Sequence, residues 1–105
     1  LKAGGLLALA TDLNPGPAWG GNMQFAIALA CRYMRLTPAQ AIVAATLNAA
    51  AAITRSDTVG SLEPGKQADL LILNVADYRH LGYRFGTNLV QRVIKRGVVI
   101  DAGQL

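Results

Sequence analysis

Residues 5–10, Gly-Leu-Leu-Ala-Leu-Ala, form an unbroken apolar run that ends in Thr11-Asp12. A short apolar run without alternation predicts a strand buried on both faces, the habit of parallel sheets, although periodicity alone leaves helix open. Asn14-Pro15-Gly16-Pro17 is strong turn chemistry, and Gly20-Gly21 extends the loop. From residue 22 the period changes. Met23, Ile27, Cys31 and Met34 recur at helical spacing, with Phe25, Ala28 and Leu29 on the other faces, which predicts a helix over 22–35 with almost no wet side. Thr37-Pro38-Ala39-Gln40 opens a second helix: Thr37 can cap, Pro38 takes the first helical position and Gln40 can complete a capping box. The alanine-rich stretch behind it carries the helical expectation to about Ile53.

The character shifts at Arg55. Residues 59–66 read as a turn-rich connector, and residues 68–73, 89–95 and 98–100 as strands, with Arg96-Gly97 a tight hairpin between the last two. The predicted order is strand, loop, two helices, then a small β unit, an α/β class.

Composition sharpens this. Residues 1–54 contain four charged side chains (Lys2, Asp12, Arg32, Arg35), against twelve in residues 55–105. Helices apolar all round need neighbours to bury them, so the chain reads as a piece of a larger protein or as an obligate assembly. One cysteine, Cys31 in an apolar run, makes no internal disulfide framework and fits a reducing compartment. The uncharged stretch from Leu13 to Cys31 is broken by Pro15, Pro17, Gly16, Gly20 and Gly21, so no membrane span is expected. The net charge is +4. Five of the ten basic residues fall between Arg79 and Arg96, but spaced among strand residues and outside any nucleic-acid motif. A solvated basic face is the expectation, with no nucleic-acid partner.

Candidate chemistry is sparse. Asp12 stands where a buried strand gives way to a loop, the edge that carries reactive groups in barrels and open α/β sheets. Position alone leaves two roles for it, a functional carboxylate or a cap on the turn at Asn14. Asn14 and Gly16 can contact a ligand or simply make the turn. His80, the only histidine, reads as a surface or packing residue; Cys31 reads as buried packing; Trp19 is a loop anchor or a pocket wall. By residue types alone no complete catalytic set is present.

The stretch Val59-Gly-Ser-Leu-Glu-Pro-Gly-Lys-Gln-Ala-Asp-Leu-Leu-Ile-Leu73 resembles the C-terminal signature of metal-dependent amidohydrolases, where the chain leaves a catalytic barrel for a small β-sandwich. Ala10-Thr-Asp-Leu-Asn-Pro-Gly16, Ala30-Cys-Arg-Tyr-Met-Arg-Leu-Thr-Pro38, Ala45-Thr-Leu-Asn-Ala-Ala50 and residues 77–90 narrow the resemblance to the imidazolonepropionase family, over about its last quarter. The resemblance implies the C-terminal part of a (β/α)8 barrel. Residues 1–54 would supply the last strand, a metal and substrate loop and the closing helices; 55–66 would connect; 67–105 would give sandwich strands. It implies hydrolytic opening of the 4-imidazolone-5-propanoate ring to N-formimidoyl-L-glutamate in histidine degradation, in the cytoplasm, with one zinc or iron ion.

On that map Asp12 is the metal-binding and catalytic aspartate, and Asn14, Gly16 and Pro17 are substrate-contacting positions. Pro17 departs from the small hydroxyl residue usual there, removing a donor. The family's metal-binding histidines lie upstream of these positions, so the 105 residues alone are expected to be inactive. A small-molecule substrate and homo-oligomerisation, as a dimer or through exposed apolar helices, complete the expectation. Two other readings are a different cyclic-amide or amidine amidohydrolase and a non-catalytic oligomeric scaffold.

Overall fold

A computed structural model of the chain describes residues 5–11, 22–84 and 87–100. Its elements are α1 (Met23–Tyr33), α2 (Pro38–Ala45), α3 (Leu47–Ala52), β1 (Leu70–Leu73), a short 3-10 helix (Tyr78–Gly82), β2 (Val90–Lys95) and β3 (Val98–Ile100). Helices precede one small antiparallel sheet, an α/β arrangement.

Local chemistry sets the helix ends. The Asn22 side chain accepts the Phe25 N–H at 3.2 Å and caps α1. The Thr37 hydroxyl accepts from the Gln40 N–H at 3.1 Å, while the Gln40 side chain accepts from the Thr37 N–H at 2.9 Å, with Pro38 opening the helix. This reciprocal box satisfies two otherwise orphaned donors. The expected single helix to Ile53 is instead broken at Thr46. Thr46 leaves helical geometry (φ −116°, ψ −82°), and its hydroxyl turns back onto the Ile42 carbonyl at 2.7 Å. A β-branched hydroxyl residue competes in this way with the helical ladder, and here it overrides the propensity of the surrounding alanines.

Residues 5–11 do not form the expected strand. Among the described residues they have no ladder partner, and a strand exists only in a pairing. They lie instead against the helix break. The Leu9 N–H donates to the Ala44 carbonyl at 3.0 Å, and the Asn48 side chain donates to the Leu7 carbonyl at 2.9 Å. The expected burial on both faces is also absent: Leu7, Leu9 and Thr11 are half-buried, while Leu6, Ala8 and Ala10 are exposed. The period of two survives, with one side docked and the other open.

The core lies between α1, α2, the 3-10 helix and the neighbouring sheet edge. Ile27, Ala30, Ala41, Leu81 and Leu89 are buried together, with Leu9, Met23, Cys31, Leu36, Leu73 and Val75 packed around them. Gln24 ties the halves: its side chain accepts the Leu89 N–H and donates to the Asn88 side chain, both at 2.9 Å. Buried alanines (Ala28, Ala30, Ala41, Ala44, Ala50) let main chains come close.

The sheet order is β1-β2-β3, antiparallel throughout. Ile72 pairs with Arg92 and Leu73 with Val90, so Gln91 bulges out of β2. The β2–β3 turn is the expected Arg96-Gly97, both at positive φ (51° and 79°), as two-residue hairpins prefer. Asp69 staples this turn to the start of β1. It accepts from the Lys95 ammonium at 2.9 Å, the Arg96 N–H at 2.8 Å and the Gln67 side chain at 2.6 Å. Exposed apolar side chains remain on α1 and the sheet, including Phe25, Tyr33, Leu71 and Val98. No described helix is long and apolar enough to cross a membrane.

In the connector, Gly60 has φ +101°, and an added Cβ would meet the Ala50 Cβ at 2.7 Å and the Thr46 carbonyl at 3.1 Å. Gly65 has φ +90° but open space around it. In chemical denaturation, Gly65→Ala is expected to cost about 1 kcal/mol of left-handed strain. Gly60→Ala is expected to cost about 1–3 kcal/mol more, from overlap with α3. Equal costs would contradict the close approach.

The Lys95 and Arg96 hydrogen bonds hold the Asp69 carboxyl at about 2, down from its ordinary 3.8. A depressed carboxylate stabilises the fold above its unfolded value, and that contribution fades as pH falls from about 4 towards 2. Acid titration of stability is expected to be shallower in this window for Asp69→Asn than for the parent sequence.

Candidate functional site

The residues on which the sequence places the chemistry, Asp12, Asn14, Gly16 and Pro17, lie outside the described residues, as does Trp19. What the structure does place are the two ends of their segment. On one side Thr11 follows a stretch held to α2 and α3 through Leu9 and Leu7. On the other side Asn22 caps α1. Both ends are therefore tied to the helical layer by hydrogen bonds, and α1 packs against α2.

The metal implied by the family resemblance was tested against the donors in view. Among the described residues no three His, Cys, Asp or Glu side chains approach closely enough to hold an ion. The described donor set does not fit a zinc or iron centre, which needs about three protein ligands.

A second concave region lies where the end of α1, the start of α2 and the 3-10 helix meet. It encloses about 540 Å3 and is lined by Cys31, Leu36, Pro38, Asp77, Arg79, His80, Gly82 and Tyr83. Its polar groups face one another. Asp77 caps the 3-10 helix by accepting the Arg79 N–H at 2.9 Å, and also accepts from the Arg79 guanidinium. Those bonds hold the Asp77 carboxyl at about 2. His80 Nδ1 lies 2.8 Å from the Tyr83 hydroxyl, the two rings tilted at 40°. His80 is thus half-buried and partnered to Tyr83. Cys31 is half-buried rather than fully buried, with Sγ close beneath Gly82, where a Cβ would meet it at 3.1 Å. Burial pushes its thiol pKa up. A suppressed thiolate is a poor nucleophile.

The sequence reading passed over Asn48, the side chain that grips the run leading to Asp12. One signal was present: Asn48 is the polar residue in Leu-Asn-Ala-Ala-Ala-Ala, the sequence of α3.

Comparison with known proteins fixes the lineage. The sequence profile of the amidohydrolase family matches residues 1–100. The chain belongs to the amidohydrolase family. Members of that family are generally metal-dependent. The chain is 57% identical over all 105 residues to an imidazolonepropionase of Herpetosiphon aurantiacus, covering 25% of that protein. It is 50% identical over 100 residues to the one from Geobacillus thermodenitrificans, covering 24% of it. The amidohydrolase chain therefore spans about a quarter of the length of these relatives. Among solved structures, "Crystal structure of putative prolidase from Bifidobacterium longum" superposes with a TM-score of 0.61 and 34% identity, over 73% of this chain and 18% of that one.

The raised thiol pKa makes a chemical expectation. At pH 8, Cys31 in the folded protein is expected to react with iodoacetamide several-fold more slowly than in urea, followed by mass spectrometry. Equal rates would place the thiol in water.

Proposed function

We propose that this chain is one part of a metal-dependent hydrolase that opens the ring of 4-imidazolone-5-propanoate with water, giving N-formimidoyl-L-glutamate in histidine degradation. The observation that carries the reading is the identity of 57% to an imidazolonepropionase over every residue of the chain. The prolidase-named structure is less similar and matches less of the chain, which favours this substrate over other amidohydrolase substrates.

Residues 1–54 are read as the end of the catalytic barrel, 55–66 as the connector and 67–105 as strands of a β-sandwich. Asp12 is read as the chain's one metal ligand and as a proton acceptor. A zinc or iron ion is the expected cation, its other ligands supplied from outside these residues. Asp12 takes a proton from the attacking water. The water oxygen bonds to the ring amide carbon, the C–N bond breaks, and a proton passes to the departing nitrogen. Asn14 and Gly16 orient the substrate through a side-chain amide and a close main-chain approach. Pro17, which has no N–H, offers shape alone. The apolar surface of α1 and the sheet is read as covered by the rest of the protein or by a second copy, in a cytoplasmic enzyme.

Asp12→Asn in a protein comprising this chain and the family's metal-binding histidines is expected to lower kcat for imidazolonepropionate about 10²–10⁴-fold. The 105-residue chain alone is expected to show no turnover. Retained activity in the variant, or hydrolysis by the isolated chain, would overturn the assignment.

A further inference from the structure

We propose that Asn48 is a positioning residue, which sets the register of residues 5–11 and thereby the placement of Asp12. The inference rests on the reading of Asp12 given above, and its geometric half stands independently of it.

Leu7 and Leu9 are two residues apart, so in an extended run the Leu7 carbonyl and the Leu9 N–H lie on one edge. A neighbouring strand would offer one donor and one acceptor to that edge. Here the helical layer offers both. The donor is the Asn48 amide, 2.9 Å from the Leu7 carbonyl and partly buried, across 41 residues of sequence. The acceptor is the Ala44 carbonyl, 3.0 Å from the Leu9 nitrogen.

That carbonyl is in the last turn of α2, where carbonyls lack intrahelical donors. It is in the last turn because Thr46 ends the helix there. The break and the Asn48 side chain thus act as a substitute ladder of two hydrogen bonds. Asn48 has no comparable claim as a helix former, since asparagine is poorer than the alanines around it.

The consequence for the site follows from strand geometry. Asp12 is three residues beyond Leu9 and five beyond Leu7. A slip of one residue would move it by about 3.3 Å and turn its side chain to the opposite face. Two hydrogen bonds of opposite polarity fix the register, because a one-residue shift would present the wrong groups to both. Asn48 touches neither substrate nor cation in this proposal; it acts through the Leu7 main chain.

The test uses the intact, metal-loaded protein containing this chain. Asn48→Asp keeps the shape and removes the donor at pH 8; Asn48→Ala is the second variant, should a carboxylate there prevent folding. Hydrogen exchange is followed at the Leu9 amide and at the Ala41 amide, which donates to the Thr37 carbonyl within α2. In either variant the Leu9 amide is expected to exchange about tenfold faster or more, with Ala41 unchanged. Hydrolysis of imidazolonepropionate is expected to fall about 10–100-fold in kcat, with KM within about twofold.

Unchanged Leu9 exchange overturns the proposal, and so does equal acceleration at Leu9 and Ala41, which would signal general loosening. Faster Leu9 exchange with undiminished kcat also overturns it, since the register would then not matter to the site. If the parent protein hydrolyses no imidazolonepropionate, the substrate reading fails instead, and the exchange data alone decide whether Asn48 fixes the register.

Discussion

The break between α2 and α3 at Thr46 is the constraint from which the rest of the helical layer takes its form. The Thr46 hydroxyl bonds back to the Ile42 carbonyl, and the helix axis is interrupted after Ala45. A continuous helix would use the Ala44 carbonyl internally and offer the first segment a plain alanine face. The interruption instead presents a free carbonyl and, four residues on, the Asn48 amide. Residues 5–11 dock on that pair. On another side, the connector passes so close that only a glycine fits at position 60, against Ala50 and the Thr46 carbonyl. One irregular turn therefore receives both the segment leading to the candidate site and the segment leading to the sheet.

The sheet is held by different means. Its faces keep exposed leucine and valine side chains, while its turn is secured by polar groups: Asp69 receives Lys95, the Arg96 main chain and Gln67. An exposed ion pair contributes little by itself, so the value of Asp69 lies in convergence. Three donors from two segments meet on one carboxylate and fix where β1 starts relative to the hairpin. Gln24 performs a related service, linking α1 to the entry of β2. Elements with small apolar contacts are thus registered by a few directional bonds.

Much of this was legible in the sequence. The capping box at Thr37 and Gln40, the proline at the first helical position and the Arg96-Gly97 turn rest on neighbours within four residues, and local chemistry decides them. Strands expected over 68–73, 89–95 and 98–100 appear at Leu70–Leu73, Val90–Lys95 and Val98–Ile100. Features that depend on distant partners were not legible. The run 5–10 has strand composition, yet strand pairing needs a neighbour, and among the described residues it finds helix termini. Alanine propensity pointed through Thr46, whereas a side-chain hydrogen bond and the packing of Gly60 ended the helix there. Residues 78–82 read as loop, but Asp77 caps them into a 3-10 turn. The candidate site was legible only as Asp12 at the end of an apolar run; Asn48, 36 residues away in sequence, shows its role only through the fold.

The central claim is that the helix break holds the run 5–11 so that Asp12 meets a cation. An X-ray structure of the intact metal-loaded protein, with anomalous scattering recorded at the zinc and iron edges, tests it most directly. The expected result is a metal peak about 2.0–2.2 Å from an Asp12 carboxylate oxygen, with the Leu9 N–H still bonded to the Ala44 carbonyl. An Asp12 side chain in open solvent with no ion in coordination range, or a run 5–11 parted from Ala44 and Asn48, would contradict it.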